Sequence, residues 1–210
     1  MSVHRAGRGH GCRALLGVVL CGIVLAPAEP AAAGRLTDFS QAEFLTLPRV
    51  CLAQRFINEE LASPAVPQSE RDELDRTLGH SYLHYHHYCW AVLLMARAAR
   101  PGGDKYDYIR AVDNLDYVLH RADPSFILLP DVYVRKGNAL ERMGAGTAAV
   151  DEYRNALRVN PKYTPAYLAL AEHYVVVGDV AAARAVLAEG LKHDPKSRVL
   201  KDKKVALGKR

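Results

Sequence analysis

The chain has 210 residues, 50% of them hydrophobic and 24% charged, with a formal net charge of +5. That length suffices for one domain with a real core or for a short repeat array. So mild a basic balance excludes an electrostatically driven nucleic-acid binder, and no nucleic acid is expected among the partners.

Residues 1–33 read as a secretory signal peptide. Arg5, Arg8 and Arg13 form a positive first region, Ala14 to Ala26 is apolar apart from glycines, and Ala31-Ala32-Ala33 offers a small-residue cleavage site. The apolar run is about 13 residues, short of the roughly 20 that span a bilayer. Cleavage before Gly34 is therefore expected, with an uncleaved anchor as the alternative. It leaves 25 basic and 22 acidic residues, a net charge of +3. The mature chain is expected to be periplasmic or secreted, without a stable membrane span.

Residues 34–79 read as an N-terminal helical region. Ser40-Gln41-Ala42-Glu43 is a candidate capping box opening a short helix that Pro48 interrupts. Val50, Phe56, Ile57 and Leu61 suggest an amphipathic helix through Ala62, followed by a loop over Ser63 to Gln68. Ser69 with Asp72 suggests the next cap, and helical sequence runs on towards Ala99 with a break at Gly79.

That stretch contains the one cluster with metal-ligating potential. His80, His84 and His87 fall at i, i+4, i+7 on one helical face, a spacing that can hold Zn²⁺ or Cu²⁺ through imidazole nitrogens. No acidic residue stands among them, so a polar helix face is the competing reading and no stoichiometric metal is expected. Cys51 and Cys89 are the only cysteines beyond the leader. An oxidising compartment favours a disulfide between them over two buried thiols. A second helix places Ala111, Leu115, Val118 and Leu119 on one face and ends at Asp123-Pro124.

Two copies of one pattern then lie end to end over 130–163 and 164–197. Tyr133 is matched by Tyr167, Gly144 by Gly178, Ala149 by Ala183, Leu157 by Leu191 and Pro161 by Pro195, each pair 34 residues apart. In the first copy Pro130 opens a helix with Tyr133, Gly137 and Leu140 on one face, and the glycine lets a neighbouring helix approach closely. Met143-Gly144-Ala145-Gly146 breaks it, and a second helix carries Ala149, Tyr153, Ala156 and Leu157. The second copy repeats this with Tyr167, Ala171 and Tyr174, a Gly178-Asp179 turn and cap, then Ala183, Leu187 and Leu191. Neither pair can bury its apolar face alone. Residues 198–210 are expected to form a basic capping helix, with Val199, Leu200 and Leu207 inward and Lys201, Lys203 and Lys204 in solvent.

The period and the order of residues resemble the tetratricopeptide repeat family. The resemblance implies an all-α fold, a short right-handed solenoid of antiparallel helix pairs. Residues 80–126 would then be a divergent pair, with Trp90, Leu93 and Leu94 matching the opening of the first helix and Arg97 standing where the regular copies have Leu140 and Tyr174. In such repeats the first helices line a concave face that takes ligands. Carried over by register, its exposed positions are Ala91 and Met95, Val134 and Asn138, Leu168 and Glu172, with Arg135, Glu141 and Val175 beside them. Only Asn138 matches the lysine, asparagine and arginine set with which family members grip a terminal carboxylate. The resemblance therefore implies a protein or peptide partner read through its side chains, and the leader over residues 1–33 leads to the expectation that this partner is in the bacterial cell envelope. No G-x-S-x-G, phosphate-binding glycine loop, C-x-x-C or paired carboxylate frame is present. No catalytic residue and no cofactor are expected, and metal delivery through the histidine helix is the alternative function.

Overall fold

The structure is a computed structural model that describes residues 39–53 and 66–208. The proposed leader and Phe56, Ile57 and Leu61 lie outside the described residues, as do the side chains of Gln41, His80 and Tyr82. Two short helices come first, α1 (Gln41–Phe44) and α2 (Arg49–Leu52). The capping box is present. The backbone N–H of Ser40 donates to Glu43 Oε2 at 2.7 Å, and the N–H of Glu43 donates weakly to Ser40 Oγ at 3.4 Å. α3 (Gln68–Leu78) begins immediately after Pro67, and no side chain caps it. The expected Ser69 cap is thus one residue inside the helix, and Asp72 accepts from the Gln68 amide at 2.7 Å instead. Proline, with its φ already fixed, marks the boundary that serine was expected to mark.

Gly79 stops α3 with a φ of 54°, a left-handed conformation that suits glycine. A 3₁₀ turn over Gly79–Leu83 leads into α4 (Tyr85–Ala98), then α5 (Tyr106–Arg121), α6 (Leu129–Arg142), α7 (Gly146–Val159), α8 (Thr164–Val176), α9 (Val180–His193) and α10 (Arg198–Gly208). Three helix pairs follow from this order: α4 with α5, α6 with α7, and α8 with α9. Each second helix also packs on the next first helix, and the first helices pack on one another, α4 on α6, α6 on α8 and α8 on α10. The described fold is all-α, a stack of helix pairs.

The cores straddle the pairs. Val134, Ala149, Tyr153 and Ala156 of the second pair share one cluster with Ala166 and Leu170 of the third. Tyr167, Ala171, Ala183 and Leu187 of the third are closed by Leu200 and Leu207 of α10. The first cluster joins α4 and α5 to Phe39, Phe44, Leu47 and Cys51 of the N-terminal segment, and Cys51 is disulfide-bonded to Cys89. The expected cap of α9 is also present, with Asp179 Oδ1 accepting from the Ala182 N–H at 2.8 Å.

The capping helix differs in two residues from the expectation. Val199 faces outward at 56% exposed, because Leu200 and Leu207, seven residues apart, already define the inward stripe. Lys203 is half-buried and donates to Glu172 Oε1 at 2.7 Å.

Gly137 shows why a glycine stands in the first copy. A Cβ built there would come within 2.7 Å of Tyr153 Cδ1. The second copy has Ala171 opposite Leu187 at the same two positions, a larger residue facing a smaller one. Gly137→Ala is therefore expected to cost about 2 kcal/mol by overpacking. Adding Tyr153→Leu should cancel most of the crowding penalty, which a double-mutant cycle of denaturation midpoints measures.

Candidate partner-binding groove

A hollow of about 580 Å³ runs across the first helices of all three pairs. Met95 of α4 and Ala99 just past its end line it, with Asn138, Glu141 and Arg142 from α6, and Ala169, Glu172, His173 and Val176 from α8. Tyr108 of α5 and Tyr153 of α7 reach in from the second helices. The Tyr153 hydroxyl donates to Asn138 Oδ1 at 3.0 Å, and His173 Nδ1 pairs with Glu141 Oε1 across the two repeats. Burial raises the Tyr153 phenol pKa, and the charges of Glu141 and Glu172 raise it further.

Of the site residues expected from register, the hollow gathers Met95, Asn138, Glu141 and Glu172. Val134 is a correction: it is only 5% exposed and belongs to the core, as does the fully buried Ala91. Close stacking of successive first helices covers that register position. Leu168 and Val175 are half-buried against the third core cluster and do not line the hollow. Arg135 also differs from expectation, being held inside a network. Its Nε donates to Asp131 Oδ2 at 2.5 Å and to the Tyr88 hydroxyl at 2.9 Å. Asp131 accepts in addition from the hydroxyls of Tyr88 and Tyr163, both at 2.6 Å. Burial alone would raise the Asp131 pKa, but the Arg135 charge and the hydroxyl hydrogen bonds hold it below the usual value.

His173, Arg142 and Val176 are groove residues that register did not single out. A signal for His173 was available, since adjacent first helices are offset by 34 residues and it stands 32 from Glu141. A second hollow of about 700 Å³ includes Arg154, Arg158, Tyr167, Glu189 and His193. Its charged groups are engaged locally, Arg154 with Asp151 and Glu189 with Lys192.

The histidine helix packs against α5. The His87 ring lies 3.9 Å from that of Tyr117, the His84 ring 5.6 Å from it, and His87 Nδ1 is 2.8 Å from Asn114 Oδ1. Among the described residues no group of three or more His, Cys, Asp or Glu side chains is placed to hold a metal ion. Burial, followed by the charge of His87, lowers the His86 pKa to about 4. The folded state thus resists protonating His86, while the unfolded chain takes the proton near pH 6.5. The stability it supports is complete above that pH and is lost as pH falls towards 4. Thermal melts between pH 7 and 4 should show a steeper loss for the parent than for His86→Gln.

The described molecule is a repeat protein with a groove along its stacked first helices. Residues 140–203 match the family model described as Tetratricopeptide repeat, so this stretch carries repeats of that family. Among solved structures the chain is similar to the "First TPR of Spaghetti (RPAP3) bound to HSP90 peptide SRMEEVD". The identity is 18% and the TM-score 0.42, over 57% of this chain and 94% of that one. No curated protein matches the chain. Among the described residues no helix is long and apolar enough to cross a membrane.

Proposed function

We propose that this protein is a non-catalytic adaptor of the bacterial cell envelope. It holds a segment of a partner protein during assembly or secretion of an envelope complex. The observation that carries the reading is the groove itself. Three successive first helices supply one continuous lining that mixes aliphatic surface with a few convergent polar groups, as extended or helical peptides require. Export is supported by the leader-like residues 1–33 and by the Cys51–Cys89 bond, which suits an oxidising compartment.

Site-specific photo-crosslinking in the native host tests the groove. A crosslinker at Val176, which lines the groove and is 79% exposed, should trap a defined envelope protein. The same group at Ile127, exposed in the α5–α6 link and outside the groove, should not. Equal trapping from both positions, or trapping from Ile127 alone, would move the partner site elsewhere.

A further inference from the structure

We propose that the partner segment is anchored by a lysine or arginine side chain seated between Glu141 and Glu172. This rests on the groove being the partner site, and it adds the chemistry of the occupant. The two carboxylates come from neighbouring first helices, α6 and α8, and both line the same hollow. Tyr108 and Tyr153 line the same hollow, and so do Met95 and Val176, whose aliphatic surface suits the stem of such a side chain. Both carboxylates act on the floor of the hollow, since each disfavours ionisation of the Tyr153 phenol.

Three side chains of the protein bear on the same place. Arg142 lines the hollow but is exposed at the end of α6. His173 engages Glu141 through one oxygen, and a carboxylate accepts more than one hydrogen bond. Lys203 pairs with Glu172, which remains 62% exposed. An ion pair so open to water is worth about 0–1 kcal/mol, so an incoming cation can take its place. An acidic segment or a free terminal carboxylate would instead meet two like charges, and that repulsion selects against it.

The test is selection of short, amidated random peptides on the purified protein, repeated on Glu141→Gln/Glu172→Gln and on Val176→Arg. Helical circular dichroism should be unchanged in all three. Glutamine keeps a hydrogen-bonding side chain at both sites, and Val176 is outside the core. The expected result is enrichment of peptides with one central lysine or arginine. Their affinity should fall about tenfold or more in the double glutamine variant, the loss of a charge-assisted hydrogen bond, and binding should be lost in Val176→Arg. Enriched peptides without a basic preference that Val176→Arg still abolishes would overturn the cation anchor and leave the groove standing. No enrichment, or peptides indifferent to Val176→Arg, would overturn both.

Discussion

Replacing Arg97 by leucine, which brings the first pair closer to the Leu140 of the second, is expected to destabilise the protein by about 3 kcal/mol. The reason is Asp107, whose side chain is 1% exposed. Arg97 grips it with both arms of the guanidinium, Nε to Oδ2 at 2.6 Å and a terminal nitrogen to Oδ1 at 2.8 Å. Arg97 also lies 4.4 Å over the Phe39 ring, so the same side chain fastens the N-terminal segment. Leucine would leave a buried carboxylate facing Arg110, 3.2 Å away, without the two-armed grip of Arg97. Breaking a buried pair from one side costs about 3–5 kcal/mol, and Arg110 places the effect at the low end. Asp107→Ala added to Arg97→Leu should restore much of the loss, since the unpaired charge goes with it. Denaturant midpoints of the two single variants and the double variant decide the matter. An Arg97→Leu protein as stable as the parent would mean that the ion pair does not anchor this pair of helices.

Loss of the Cys51–Cys89 bond should have an effect of similar size. The cysteines are 38 residues apart, and in the chain-entropy model closing a loop of that length removes about 4 kcal/mol of unfolded-state freedom. The bond matters more here than that figure suggests. α1 and α2 have four residues each, far too few to persist as isolated helices, and they hold their place by packing Phe39, Phe44 and Leu47 on α4. Reduction should therefore lower the denaturation midpoint and open residues 39–53 to limited proteolysis before the repeats are cut. An identical midpoint and digestion pattern with and without reductant would show that packing alone secures the segment.

The regular pairs were legible because a helical repeat writes its packing at a fixed period. Tyr133, Gly137 and Tyr153 are where register places them, and their counterparts at Tyr167, Ala171 and Leu187 follow. The site was only partly legible, because exposure depends on neighbours that register does not describe. Val134 occupies a ligand-facing position in the pattern, yet adjacent helices cover it. Arg135 looks like a free recognition group until Asp131, Tyr88 and Tyr163, spread over 75 positions of sequence, converge on it. Arg97 looked like a mismatch to the template because its partner Asp107 lies on the next helix, across an irregular turn.

The shared cores make the two ends of the array unequal. At one end a covalent bond ties the N-terminal segment to the first pair. At the other, α10 is held by Leu200 and Leu207, by Lys203 on Glu172, and by an Arg184 hydrogen bond to the Leu207 carbonyl at 2.6 Å. A stack built this way frays from its C-terminus inward. Each step uncovers the apolar face of the pair beneath, first Tyr167 and Leu187, then Val134 and Tyr153. Amide exchange should record that order as a gradient of protection, lowest in α10 and rising towards α4, where the molecule is locked.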